Sequence, residues 1–191
     1  PLGDYIARDR GLKPGELHPM IAAMNAVGYD AATLGNHDFN YGAEFLLTAL
    51  HGARFPVVAA NVVACCGAGP LTDTPFLPPV AMLHRDLICS DGQRRPIRVG
   101  VIGLTPPQVV AWDCKTLRDR VATRDIVETA QAWVPHLRAL GADLVIALAH
   151  TGVGASEHVH LQENAALPLA RVDGIDALLI GHSHLVFPAP D

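Results

Sequence analysis

Aromatic residues are scarce. Phe, Trp and Tyr make up 5% of the 191 residues, so Ala, Val and Leu must fill any core the chain builds. Basic charge is also short: Lys and Arg number 14 against 19 Asp and Glu, a formal charge of −5 at pH 7. With a pI near 6.0 and its densest basic cluster (Arg94, Arg95, Arg98) flanking a turn, the chain carries no electrostatic footprint for a nucleic-acid polymer. No run approaches the roughly 18 apolar residues of a membrane span, and no leader-like segment opens the sequence. Cys65, Cys66, Cys89 and Cys114 form no C-x-x-C pair, which argues against a thiolate zinc site. Disulfides in an oxidising compartment stay open, although adjacent Cys65 and Cys66 are poorly placed to pair with each other.

Half of the residues are hydrophobic and 17% are charged, an ordinary globular balance at a length of about one domain. The first residue is Pro rather than Met, and the last run, Phe187–Asp191, closes no element. The expectation is therefore an excised piece of a longer protein.

Apolar spacing predicts an amphipathic helix over Gly15–Val27 and a second over Tyr41–Gly52, each closed by glycine. Short strands are expected at Ala31–Leu34 and Phe55–Ala60, and a loop over Cys65–Pro79. Val80–Ile88 and Ile97–Leu104 read as strands around the turn Ser90-Asp91-Gly92-Gln93. Asp125–Leu140 is the strongest helix, capped by Gly141 and expected to kink or break at Pro135. Asp143–Ala149 and Asp176–Ile180 are further strands, with a weaker helix expected over Ser156–Ala170. Alternation of strands and helices indicates one α/β layered domain with mixed strand directions.

Three of these strands end alike. Leu34 is followed by Gly35-Asn36-His37-Asp38, Ala149 by His150-Thr151-Gly152, and Ile180 by Gly181-His182-Ser183-His184. Open α/β sheets place their chemistry at strand carboxyl ends. If the three strands are parallel neighbours, Asn36, His150, His182 and His184 meet on one rim. Imidazole nitrogens and an amide oxygen suit Mn, Zn, Fe, Co or Ni. Asn36 and Asp38 can also be read as ordinary turn residues, and a single His as a cap or core residue; three alike strand ends weaken both readings. A second His-x-His pair, His158 and His160, falls in the expected helix, where positions two apart face different ways and cannot share a metal. His37, beside a carboxylate, fits a general acid or a charge stabiliser.

These blocks resemble the calcineurin-like metallophosphoesterase superfamily: its Gly-Asn-His-Asp/Glu block at 35–38, its His block at 149–152 and its Gly-His-x-His block at 181–184. Pro1–Tyr5, Gly11–Pro19 and Pro106–Asp113 carry the similarity towards the bacterial periplasmic 2′,3′-cyclic-nucleotide 2′-phosphodiesterase/3′-nucleotidase branch. The resemblance covers essentially the whole chain and implies a layered β-sandwich flanked by helices, incomplete over residues 1–191. It implies a nucleotide or cyclic nucleotide substrate hydrolysed by a two-metal-activated hydroxide, with two divalent ions (Mn, Zn, Fe, Co or Mg) and a periplasmic location. Related 5′-nucleotidases share Gly-Asn-His and Ala60-Asn61, and a 5′-nucleotidase or nucleotide-sugar hydrolase is the second enzyme reading. By the same resemblance Asn36, His150 and His182 bind one metal and His184 the other, while His37, oriented by Asp38, is catalytic. Asn61 is a lesser candidate near the site, equally explained as a strand-end turn.

The family's Asp-x-His block and its bridging Gly-Asp are not found, Asp4 reading as a residue after the true motif, and the aromatic nucleotide-binding domain is absent too. Asn36, His150, His182 and His184 are neutral as ligands, whereas two divalent ions about 3.5 Å apart repel by roughly 19 kcal/mol at an effective dielectric of about 20. The expectation is at most one weakly held metal and little turnover from these residues alone. Separation of Asn36, His150 and His182 by more than about 10 Å would leave only a non-catalytic binding module, since bonds to a shared ion are near 2.1 Å.

Overall fold

A computed structural model describes residues 5–13 and 15–186. The readings of Asp4 and of the last five residues lie outside it.

Tyr5–Arg10 forms a short π-type helical segment. Helix α1 spans Pro19–Val27, starting later than expected because Pro19, lacking an N–H, suits a first turn. The His18 side chain caps it by accepting from Met20 N at 3.2 Å. Gly28 ends it in the left-handed region, φ +82°, where a side chain would be strained. Strand β1 (Ala32–Thr33) follows, then a 3₁₀ turn over Asn36–Phe39, α2 (Ala43–Leu50), β2 (Val57–Val58), β3 (Val62–Cys65) and β4 (Thr74–Pro75). The stretch expected to be all loop therefore holds a strand, Thr74–Pro75, paired antiparallel with β3.

β5 (Val80–Ile88) and β6 (Arg94–Leu104) form an antiparallel hairpin in register from Val80↔Ile102 to Ile88↔Arg94. Two short helices, α3 (Val109–Trp112) and α4 (Cys114–Leu117), and strand β7 (Ala122–Thr123) precede α5 (Ile126–Ala139). Asp125 caps α5 by accepting from Val127 N and Glu128 N. The helix runs through Pro135 without a break; the carbonyl that Pro135 leaves unpartnered belongs to Gln131, which is exposed and open to water. β8 (Leu144–Ala149), α6 (Ala166–Leu169) and β9 (Ala177–Ile180) complete the order.

The main sheet is mixed, in the order β5-β6-β8-β9, with β6, β8 and β9 parallel. Its apolar face packs on α5 through Ile102, Leu104, Ala130, Val134, Leu137 and Val145. Each such fully buried Val, Leu or Ile is worth about 1.5–3 kcal/mol against exposure. The parallel pair β1-β2 lies against β6 at Gly103. Ala60 N donates to Gly103 O at 2.7 Å, and a Cβ on Gly103 would stand 2.0 Å from Val58 O. No side chain fits there, so glycine sets the closeness of the two layers. A second core of Leu34, Phe39, Leu46, Val62, Val109 and Leu117 fills the space beyond.

The expected helix over Ser156–Ala170 is present only as Ala166–Leu169. Leu161 has φ +59°, incompatible with a right-handed helix. The segment is tied instead by Leu161 N to Asp125 Oδ2 at 2.6 Å and by Gln162 Nε2 to Asn164 O at 2.8 Å.

Candidate functional site

The three strand ends meet. Buried Thr105, just past β6, donates its hydroxyl to Leu34 O at 2.9 Å, tying the end of β1 to the main sheet. His150 N donates to Leu104 O at 2.8 Å and Gly181 N to Thr151 O at 3.3 Å, so the ladders extend into the polar residues. Asn61 is spent in holding this junction. Its amide donates to Thr105 O and Arg124 O, and its oxygen accepts from Thr105 N. Of the two readings of Asn61, the turn is the one its hydrogen bonds serve.

Asn36 Oδ1 lies 3.0 Å from His150 Nε2, and the rings of His150 and His182 are 5.1 Å apart at 61°. Neither separation approaches the 10 Å that would have left only a binding module. Gly35 permits the approach of His150, since a Cβ there would come 2.9–3.1 Å from the imidazole. His182 is clamped from two further sides. Its Nε2 meets Glu163 Oε1 at 2.8 Å, and Trp112 stacks on its ring at 5.9 Å and 25°. His184 is exposed on the same rim. Both His182 and His184 have left-handed backbone, φ +74° and +55°, a conformation that costs non-glycine residues free energy and collects at functional sites.

Burial lowers the pKa of His150 first of all, and the nearby His182, His37 and His184 lower it further. The neutral imidazole that a metal requires is thereby favoured. Two donors bound to one ion at about 2.1 Å and about 90° apart stand about 3 Å from each other, which is the Asn36–His150 spacing. With Nε2 of His182 held by Glu163, Nδ1 is the ring nitrogen left to act as a donor, and an orienting carboxylate is a usual partner of a ligating imidazole. The Asn36–His150 pair therefore has the spacing of two donors to one divalent ion, with the His182 ring beside it. Among the described residues no group of three or more His, Cys, Asp or Glu gathers to hold a metal, so even a first ion would depend on the Asn36 amide beside the imidazoles, and a second has no carboxylate cage there.

His37 departs from the expected pairing. Its Nδ1 lies 2.9 Å from Asn40 Oδ1, while Asp38 Oδ2 accepts from Gly35 N at 2.7 Å. Asp38 closes the Gly35 turn, and Asn40 is the residue that orients His37. The 3₁₀ turn explains the change, because positions three apart are eclipsed there and adjacent ones diverge. Surrounding protein raises the pKa of Asp38 against the lowering pull of Gly35 N–H and His37. The residue is nevertheless exposed, so water limits the size of that rise.

His158 and His160 lie in the irregular segment, not in a helix. His158 Nε2 is 3.0 Å from Asp125 Oδ1 and His160 Nδ1 is 2.9 Å from Glu128 Oε1. Both are engaged with the first turn of α5, away from the strand ends. Sequence reading missed Asn40, Trp112, Asp113 and Glu163 as site residues. Asn40 carried a signal, its three-residue offset from His37; Glu163 was hidden by the expected helix.

Residues 2–186 match the calcineurin-like phosphoesterase family. A 2′,3′-cyclic-nucleotide 2′-phosphodiesterase/3′-nucleotidase of Yersinia enterocolitica is 43% identical over 191 residues, covering 100% of this chain and 28% of the relative. The trifunctional nucleotide phosphoesterase protein YfkN of Bacillus subtilis is 42% identical over 195 residues, covering 100% of this chain and 13% of YfkN. The crystal structure of the calcineurin-like phosphoesterase YfkN from Bacillus subtilis superposes with a TM-score of 0.85 at 41% identity, covering 97% of this chain and 53% of that one. The chain thus spans less than a third of the length of these two full-length relatives.

Proposed function

The chain belongs to the calcineurin-like phosphoesterase family, and on that premise we propose that it is part of the catalytic domain of a hydrolase of nucleotide phosphoesters. The substrates of this reading are 2′,3′-cyclic nucleotides and 3′-nucleotides, by analogy with relatives so named that match the full chain at 41–43% identity. Relatives named 5′-nucleotidase are 29–30% identical over 84% of the chain, which ranks that specificity second. The observation that carries the reading is the 3.0 Å approach of Asn36 Oδ1 to His150 Nε2 beside the His182 ring.

Asn36, His150 and His182 hold one divalent ion, and His184 extends the rim towards a second. Two ions in the longer protein, of Mn, Zn, Fe, Co or Mg, need carboxylates from outside the described residues, because the donors present are neutral. When bound, such ions draw electron density from phosphoryl oxygens and activate water. Residues of the chain do the rest. Asn36 and His150 are held close by Gly35 and by the ladder beneath them, so loading asks chiefly that the proton shared between His150 Nε2 and Asn36 Oδ1 leave Nε2. His37, exposed on the rim, turns Nε2 towards the substrate, where the doubly protonated ring donates from Nε2 to stabilise charge on a phosphoryl oxygen or passes that proton to the leaving oxygen. Asp38 keeps the turn that presents both Asn36 and His37. The periplasmic location implied by the resemblance belongs to the same reading.

Hydrolysis of 2′,3′-cyclic AMP, 3′-AMP and 5′-AMP by the longer protein tests this. Preference for the first two supports it, and preference for 5′-AMP overturns the substrate assignment. Residues 1–191 alone are expected to hold one ion weakly and to hydrolyse bis(p-nitrophenyl) phosphate poorly. Two tightly held ions or rapid hydrolysis would contradict that expectation.

A further inference from the structure

The end of α3 and the residue after it reach both working imidazoles. Trp112 stacks on His182, and the next residue, Asp113, meets the residue that holds His37. Both Asp113 carboxylate oxygens lie 3.2 Å from Asn40 Nδ2, and Asn40 Oδ1 lies 2.9 Å from His37 Nδ1. The Asp113 side chain makes no cap hydrogen bond to α4, the helix it precedes, although aspartate is a favoured cap. Its carboxylate is committed across 73 residues of sequence instead.

The chemistry of the chain of contacts has one direction. An ionised carboxylate only accepts, so it must face the NH₂ of Asn40. That places the Asn40 oxygen towards His37, and an amide oxygen only accepts as well. His37 must then carry its proton on Nδ1. We propose that Asp113 is a positioning residue: acting through Asn40, it holds His37 as the Nδ1–H tautomer and leaves Nε2 as the atom that faces a phosphoester. Without Asp113 the Asn40 amide can rotate by 180° and offer its NH₂ to Nδ1, which selects the opposite tautomer and puts the ring's only proton on Nε2. The assignment of the tautomer stands on these contacts alone; only the use of Nε2 rests on the phosphoesterase reading.

Ring ¹⁵N–¹H correlation spectra of the 191-residue chain, recorded metal-free at about pH 8, above the ordinary histidine range, read the tautomer directly. His37 is expected to be mainly Nδ1–H, the reverse of free histidine's preference. Asp113→Asn offers Asn40 an amide that can donate, and should raise the Nε2–H share severalfold. The exchange Asn40→Asp with Asp113→Asn reverses that contact, with the donor now at 113 and a carboxylate acceptor at 40, and should return His37 to Nδ1–H. A mainly Nε2–H His37 in the unaltered chain overturns the proposal, as does an unchanged ratio in Asp113→Asn or failure of the exchange to restore it. In the longer protein, Asp113→Asn should lower kcat at least tenfold with KM within about twofold. Tautomers behaving as stated in a protein without turnover would uphold this inference and overturn the phosphoesterase reading.

Discussion

Two His-x-His pairs, 158/160 and 182/184, share one pattern and have opposite surroundings. His158 and His160 sit in an irregular segment and face Asp125 and Glu128 at the start of α5. Each has a carboxylate of its own, so the pair serves to pin the segment to the helix. His182 and His184 come directly after a parallel strand, in left-handed backbone, beside His150 and with Glu163 on His182 alone. Here imidazoles face one another across a few ångströms, and burial together with that closeness disfavours the proton on His150, leaving a lone pair for a cation. Spacing in sequence does not distinguish the pairs. A strand immediately before the pair, and the carboxylates already within reach of it, do.

The comparison breaks most readily at Asp125. Its nearly inaccessible carboxylate accepts from Val127 N, Glu128 N and Leu161 N and meets His158. Asp125→Ala should cost about 2–3 kcal/mol, read as a fall in thermal midpoint, while leaving metal affinity unaltered. Burial acts to raise the Asp125 pKa, but the amides and His158 outweigh it and hold the carboxyl below its ordinary value. Its stabilising contribution is therefore complete above the ordinary 3.8 and is lost as pH falls through the lower folded value.

At the other pair the expected effect falls on binding. Glu163→Ala frees His182 Nε2 and should weaken Mn²⁺ affinity by about tenfold or more, measured by titration calorimetry. His158→Ala should leave it within about twofold. A smaller effect is expected from acid. Burial is the first cause of the lowered pKa of both His150 and His18, so the unfolded chain binds more protons than the folded one just below their ordinary 6.5. Stability should thus fall as pH drops from 6.5 downward in the metal-free chain. His18→Asn keeps a cap acceptor for α1 and removes one of these titrations, which should flatten the slope of thermal midpoint against pH. The smallest effect is His184→Gly. Relief of left-handed strain offsets the added freedom of the unfolded chain, so stability should change by less than about 0.5 kcal/mol. A fall of 2 kcal/mol or more, about four times that bound, would mean that His184 makes contacts beyond its backbone strain.

Much of this arrangement is legible in the sequence. Glycine followed by amide or imidazole at Gly35 and Gly181, and the imidazole at the end of β8, mark the three strand ends, and Asp125 marks the start of α5, because caps and strand termini are local signals. The direct partners of the imidazoles are not legible. Asn40 and Asp113 are 73 residues apart, Glu163 and His182 are 19 apart, and no local propensity encodes such meetings. The segment 156–165 departs from expectation for a related reason. Its apolar spacing allows a helix, but Asp125, accepting from Leu161 N, and Gln162 and Thr151, donating to carbonyls, supply its backbone with partners that a helix would otherwise provide. Adjacency pairs Asp38 with His37 in the sequence, whereas a 3₁₀ turn sends adjacent side chains apart.

The central claim is that the strand-end imidazoles, and not the other His-x-His pair, hold a divalent cation. Paramagnetic broadening of histidine ring resonances during addition of Mn²⁺, an ion that favours oxygen and imidazole over thiolate, tests it on the 191-residue chain. The account predicts loss of the His150 and His182 signals at the lowest additions, with His158 and His160 still sharp. Broadening of His158 and His160 first, or of all four together, would contradict it.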